Sequence, residues 1–306
     1  MEFSHVASLG GGVIGASWTA LFLASGRSVA VFDPDPDVER KVRDYIDMAW
    51  PAMEAIGLIE NGTPDAVRFA GSAAEAVEGA DFVQESVPER LPIKHATFAE
   101  IEPVLADHAV VASSASGLTL AEMGAGWRDP RRLVLGHPFN PPHLVPLVEV
   151  MGEEEAAAKA ERFYEAVGKV TIRVKKGMPG HVSNRLQAAL WREAIHLIVE
   201  DVASVEDVDK AIWAGPGLRW AAMGPTMQFS TSAGPGGMAS FIDHFKDTFN
   251  GWWDDLGQVY LDDAVAEKIV AGVAEASKGK SVAEIAAERD RLIVAFQRAR
   301  REIEGN

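Results

Sequence analysis

Gly10-Gly11-Gly12-Val13-Ile14-Gly15 stands between an apolar run at residues 4–9 and a helix-compatible stretch from Val13 to about Ser25. A Gly-x-Gly-x-x-Gly pattern in that place has a physical reading. Gly10 permits a tight turn, Gly12 lets the backbone approach a pyrophosphate, and Gly15 lets helix and strand pack closely. The N–H groups of Val13 and Ile14, at the helix start, are free for the anion. Gly26 stops the helix, and the second apolar run, Ser28 to Phe32, ends on Asp33. An isolated glycine pattern is also met as a plain structural turn, and Asp33 before Pro34 as a solvated turn residue. Strand, glycine loop, helix and a carboxylate ending the next strand together point to a dinucleotide. Asp33 would accept from both adenosine ribose hydroxyls. With Asp35 near and no adjacent arginine for a 2′-phosphate, NAD is expected rather than NADP.

Outward from this unit the alternation continues. A helix is expected to about Ile56, strands at 80–85 and 109–113, a helix at 92–106, and further strands at 132–136, 145–150 and 169–174. Strands separated by helices of this length imply an α/β fold of Rossmann type, a doubly wound parallel sheet covered on both faces. The pattern changes after Lys175-Lys176-Gly177-Met178-Pro179-Gly180. From Val182 on the sequence reads as helical, including Arg185 to Val202 and a long helix at 281–303. The expected organisation is a dinucleotide-binding domain at 1–178 and an all-helical C-terminal domain at 179–306. Its apolar content suggests that two copies pack together as a homodimer.

The 306 residues, 47% hydrophobic and 24% charged, have the composition of an ordinary globular protein. A formal charge of −16 argues against nucleic-acid and anionic-membrane surfaces. With no cysteine, thiolate nucleophiles and cysteine-ligated metals are excluded, and no metal site is expected. No secretory leader and no membrane-spanning run is apparent, so a cytoplasmic location is expected.

Chemistry is suggested by Gly136-His137-Pro138-Phe139-Asn140-Pro141-Pro142-His143, followed by Leu147-Val148-Glu149-Val150. Three prolines brace the reversal between an imidazole and a carboxylate. A buried Glu149 needs a partner, and a His held by a carboxylate is a general base of defined tautomer. Either residue alone would be an unremarkable core histidine or edge carboxylate; His143 reads as a loop residue. Ser116, in the loop closing a strand at 113, is a candidate donor to the reacting oxygen. Asn184, at the start of the helical half, is a candidate to complete the site. Trp191, Trp213, Trp220, Trp252 and Trp253 suit either packing or a cage for a quaternary ammonium ion.

Taken together these residues resemble the 3-hydroxyacyl-CoA dehydrogenase family, from the Gly10 loop through at least residue 245. The marks are Gln84-Glu85-Ser86-Val87-Pro88-Glu89, Ser113 to Leu118, Gly136 to Asn140 with Glu149, and Pro179-Gly180 with Asn184-Arg185-Leu186. The resemblance implies that His137 and Glu149 form the catalytic pair and that Ser116 and Asn184 orient the substrate oxygen. It also implies that Glu89, Lys94 and Asn140 meet the cofactor or its pocket. Leu190 to Ala194 and Gly217 to Gly224 are most similar to a carnitine-oxidising branch, which marks Trp191, Arg219 and Trp220 as candidate substrate contacts. Asn140-Pro141-Pro142 is similar to L-gulonate 3-dehydrogenase, whose fold also serves as a lens crystallin. Two departures stand out: His181 follows Pro-Gly where an apolar residue is usual, and 225–237 matches loosely.

The reaction so implied is NAD-dependent oxidation of the 3-hydroxyl of a small L-3-hydroxy acid, carnitine first, with His137 as base and Glu149 as its orienter. L-gulonate and 3-hydroxybutyryl-CoA are the alternatives, and a non-catalytic NAD-binding protein is the remote one.

Overall fold

The computed structural model describes residues 3–59 and 61–304. The chain opens with β1 (His5–Leu9), α1 (Val13–Ala24), β2 (Ser28–Phe32) and α2 (Val38–Ile56). Next come β3 (Val67–Phe69), α3 (Ala73–Val77), β4 (Phe82–Glu85), α4 (Leu91–Ile101), β5 (Val110–Ser113) and α5 (Leu120–Gly124). The sheet is completed by β6 (Leu133–Pro138), β7 (Leu147–Met151), α6 (Glu154–Ala166) and β8 (Val170–Arg173). All eight strands form one sheet in the order β3-β2-β1-β4-β5-β6-β7-β8. The first six are parallel, in the arrangement of a doubly wound dinucleotide fold. β7 runs antiparallel to β6, and β8 is parallel to β7. The short β3 escapes the sequence reading because only three residues pair and only Val67 of them is buried.

Period-two alternation divides the core. Val6, Val29, Val31, Phe82, Val110, Ala112 and Val134 face a layer with Trp18 and Phe22 of α1 and Phe163 and Tyr164 of α6. Their neighbours Ala7, Leu9, Val83, Val111, Leu133 and Leu135 pack with Phe98, Ile101 and Met123 on the other side. α1 is buried from Gly15 to Ala24, which explains its apolar composition all round. The same alternation carries Glu85, Ser113 and His137 onto the second face at or near the C-terminal ends of β4, β5 and β6, the edge where ligands bind in such sheets.

The chain divides into two units, 1–182 with 289–306, and 183–288. This differs from the expected boundary at 178 and from the assignment of the whole C-terminal half to one domain. The shift at the boundary reflects Val182, whose N–H donates to Glu149 Oε1 at 3.0 Å. The C-terminal stretch is held by Gln297 Nε2, which donates to Leu144 O at 3.2 Å, and by Arg301 Nη1, which donates to Gly57 O at 3.0 Å. The second unit is all-helical: α7 (Ser183–Val199), α8 (Val205–Trp213), α9 (Pro216–Trp220), α10 (Pro225–Ser232), α11 (Gly237–Asp255) and α12 (Asp263–Ala276). α13 (Val282–Glu304) begins there and ends in the first unit. Among the described residues no helix is long and apolar enough to cross a membrane.

Candidate active site

The glycine loop fits a pyrophosphate. Gly10 has φ +97°, and a Cβ there would lie 2.6 Å from Ser86 O. A Cβ on Gly15 would lie 1.8 Å from Gly10 O, so these two glycines are required by packing. Gly12 is different: a Cβ would meet nothing within 4 Å. It is the N-cap of α1 and offers no side chain to the first-turn N–H groups, so the helix end is open to an anion. Val13, 60% exposed, and the half-buried Ile14 form the apolar lip of this opening. Asp33 Oδ2 accepts from Gly11 N at 2.8 Å and Oδ1 from Asp35 N at 2.9 Å, which fixes the carboxylate. Each oxygen keeps a further lone pair for a ribose hydroxyl.

Beyond the loop, β4 and β5 end in a polar lattice. Glu85 and Lys94 are buried, and Lys94 Nζ donates to Glu85 Oε1 at 2.7 Å and Oε2 at 2.8 Å. Ser113 Oγ donates to Glu85 Oε2 at 2.6 Å. Lys94, expected at the cofactor or its pocket, has its ammonium 1% exposed inside this pair, where it neutralises a carboxylate that the sheet buries. Glu89, in the loop after β4, accepts from Ser116 Oγ at 2.9 Å and from the N–H groups of Ser116, Gly117 and Leu118. Burial alone would raise its pKa, but these four donors outweigh it and hold the carboxyl below its ordinary range. Ser116 therefore has its proton committed to Glu89. Asn140 lies exposed at the end of the β6 edge, one residue beyond Phe139.

His137 is paired with Glu149 across the β6–β7 ladder. Nδ1 lies 2.7 Å from Glu149 Oε2. The ring is 6% exposed and the carboxylate 0%. Glu149 Oε1 accepts the Val182 N–H, so a backbone donor also satisfies the buried anion. A carboxylate can only accept, so in the neutral ring Nδ1 carries the proton and Nε2 the lone pair.

Two further histidines are placed by the structure and not by motif. His143, expected as a loop residue, lies in a turn but is buried: Nδ1 is 2.9 Å from Ser17 Oγ, and its N–H donates to the same hydroxyl at 2.9 Å. His181 is 5% exposed, with its ring centroid 5.3 Å from that of His137. The one sequence signal for it was its departure from the usual apolar residue.

In the second unit, Asn184 lies in the first turn of α7. Trp191 of α7 is 51% exposed, Trp220 ends α9 half-buried, and Arg219 beside it is exposed. Their expected roles as substrate contacts rest on the motif alone.

Comparison with known proteins agrees with this architecture. Residues 5–177 match the model of the 3-hydroxyacyl-CoA dehydrogenase NAD binding domain, and 180–278 match that of the C-terminal domain. The chain is 46% identical to an L-carnitine dehydrogenase of Nocardiopsis dassonvillei over 98% of its length and 92% of that protein. It is 40% identical to one from Pseudomonas aeruginosa, over 98% and 95%. Among solved structures, 5-formyl-3-hydroxy-2-methylpyridine 4-carboxylic acid 5-dehydrogenase, an NAD+ dependent dismutase, is similar at a TM-score of 0.83 and 29% identity, over 99% of both chains. FadB2 of M. tuberculosis is similar at a TM-score of 0.65 and 26% identity, over 89% of this chain and 95% of that one. The two family matches, one falling on a unit whose glycine loop is open to a pyrophosphate and the other on the helical half, place this chain in the 3-hydroxyacyl-CoA dehydrogenase family, as an NAD-dependent dehydrogenase of a CH–OH donor.

Proposed function

We propose that the enzyme oxidises L-carnitine to 3-dehydrocarnitine, with His137 as general base and Glu149 as its orienter. The observation that carries the mechanism is the buried 2.7 Å contact between Nδ1 and Oε2. His137 Nε2 takes the proton of the 3-hydroxyl while the hydrogen on the same carbon departs as hydride. Glu149 holds the tautomer and stabilises the imidazolium that forms. NAD, when bound, is the hydride acceptor. Gly10, Gly12, Val13, Ile14 and Gly15 would hold its pyrophosphate, and Asp33 its ribose. Glu89 and Asn140 would border the pocket. Ser116 and Asn184 are proposed to contact the substrate oxygen.

The choice of carnitine follows the names of the relatives, with Trp191, Arg219 and Trp220 as the proposed contacts to its remainder. Acidic residues outnumber basic ones in 183–288, which suits a quaternary ammonium substrate better than the phosphates of a CoA ester. We further propose a cytoplasmic homodimer joined through the helical unit. Only four hydrophobic side chains of 183–288 are buried, Ala194, Ile195, Val205 and Val208, too few for a unit of that size to stand alone.

An NADH-absorbance assay over L-carnitine, L-gulonate and 3-hydroxybutyryl-CoA tests the substrate. Turnover is expected with L-carnitine; preference for either of the others reassigns the enzyme within the family.

A further inference from the structure

The proposed oxidation gives His181 no task, yet this residue is held in place at a cost. Pro179-Gly180-His181 forms a tight turn closed by the His181 N–H donating to Met178 O at 3.0 Å. Gly180 has φ +73°, and His181 itself has φ +49°, a left-handed conformation that costs a side-chain-bearing residue roughly 1–2 kcal/mol. The turn delivers the imidazole into the interior, 5.3 Å from His137 between ring centroids and inclined at 56°. Among the described residues neither Nδ1 nor Nε2 meets a partner at full hydrogen-bond geometry. An unsatisfied buried polar group costs about 1–3 kcal/mol, so such atoms are normally paired. Burial and the neighbouring His137 lower the basicity of the ring; the carboxylates of Glu149 and Glu89 and the backbone of Ala115 pull the other way without reversing it. At neutral pH the ring therefore offers one N–H and one lone pair.

The partners already assigned around His137 determine what that N–H can serve. Ser116 Oγ donates to Glu89, and His137 Nδ1 donates to Glu149. A substrate carboxylate placed here would face the anions of Glu149 and Glu89. The reacting oxygen has the opposite need. It gains negative charge as its proton passes to His137 Nε2, and it holds that charge until the hydride leaves and the C=O bond forms. A buried donor aimed at that position is worth most in the transition state. We infer that His181 is a second catalytic histidine, its ring N–H donating a hydrogen bond to the C3 oxygen of the substrate as that oxygen becomes the ketone carbonyl. This rests on the hydroxy-acid oxidation proposed above and adds a stabilising donor to the contacts proposed there for Ser116 and Asn184.

The test compares wild type with His181→Leu, His181→Asn and His181→Gln on L-carnitine and on γ-butyrobetaine, the analogue lacking the C3 oxygen. In His181→Leu, kcat is expected to fall about 10²- to 10³-fold with KM within a few-fold, by analogy with loss of one oxyanion donor. The isotope effect on kcat with C3-deuterated substrate should rise. At least one of the two amide variants should recover tenfold or more of the lost kcat. The inhibition constant of γ-butyrobetaine, NADH affinity and melting temperature should stay near wild type. Unchanged kcat, γ-butyrobetaine binding lost in parallel with kcat, or amide variants no better than Leu would each overturn the assignment. Absence of L-carnitine turnover by the wild type would instead sink the substrate reading. The same variants measured on L-3-hydroxybutyrate and butyrate then decide the role of His181; if wild type also fails to turn over L-3-hydroxybutyrate, that role falls too.

Discussion

Glu149 stands directly opposite His137 in the antiparallel β6–β7 ladder, with Oε2 2.7 Å from Nδ1. Directly opposed residues on such a pair share a face, so strand register sets the geometry of the dyad. A one-residue slip would turn His137 toward the layer of Tyr164.

Glu149→Gln preserves volume but can donate as well as accept, and it removes the charge opposite the imidazolium. We expect kcat to fall about 10²- to 10⁴-fold, His137→Gln to fall by a similar factor, and the double variant to be little worse than either. Stopped-flow and steady-state rates, with NADH affinity as the unaffected control, check this. Near-normal turnover in His137→Gln would remove it as the base.

Gly12 and Gly15 should separate binding from folding. Gly12→Ala adds a Cβ into open space, so the melting temperature should hold while NADH affinity drops about tenfold or more, a loss of ~1.4 kcal/mol. Gly15→Ala drives a Cβ to 1.8 Å from Gly10 O and should destabilise the fold itself. Fluorescence titration and calorimetry on both variants distinguish the two effects.

Much of this was legible because local chemistry and tertiary role coincide. The glycine loop and Asp33 lie within one strand–helix–strand unit, and His137 and Glu149 are twelve positions apart on adjacent strands. The pairing of Lys94 was not legible because Glu85 becomes its neighbour only when α4 covers β4; the motif marks the residue but not where its ammonium points. His143 does lie in a turn, but its burial was not legible for a similar reason, since Ser17 lies 126 positions away. The fate of 289–304 depends on contacts to Leu144 and Gly57 that no helical periodicity encodes.

Lys94→Met tests whether Lys94 serves the buried Glu85 or the cofactor. It leaves the Glu85 carboxylate buried with only Ser113 Oγ and the Val87 N–H as its remaining donors. Breaking such a pair costs about 3–5 kcal/mol, or on the order of 10 °C in Tm for a chain of this size. Glu85→Gln combined with Lys94→Met should recover part of the loss. NADH affinity measured well below the transition should remain within a few-fold of wild type. Lost affinity with an unchanged Tm would return Lys94 to the cofactor.

His143 gives the fold a dependence on acid. Burial, aided by the charges of Lys169 and Arg289, lowers its pKa from 6.5 to about 4, with Asp290 alone in opposition. Between those values the unfolded chain binds this proton and the folded chain does not, so unfolding is favoured as pH falls. The contribution is complete above 6.5 and is lost on descending to 4, about 3 kcal/mol in all. Urea midpoints should fall more steeply between pH 7 and 4.5 for wild type than for His143→Asn, and equal slopes would refute the assignment.

The helical unit yields the last prediction. Ile242, Phe245 and Trp252 recur at helical spacing on α11 with Trp253 beside them, and they are 53%, 43%, 57% and 64% exposed. Phe249, half-buried, joins this face through ring contacts to Trp252 and Trp253 at 5.0 and 5.9 Å. An apolar face of this kind, on a unit with four buried hydrophobic side chains, is what an obligate interface looks like with one half removed. If a second copy covers it, the native protein is a dimer at micromolar concentration. Ile242→Arg with Trp252→Arg should then shift sedimentation equilibrium to monomer. The helical unit should melt below the sheet unit in the monomer, because its stability is inseparable from association. A wild-type monomer with one cooperative transition would show that the face is covered in some other way.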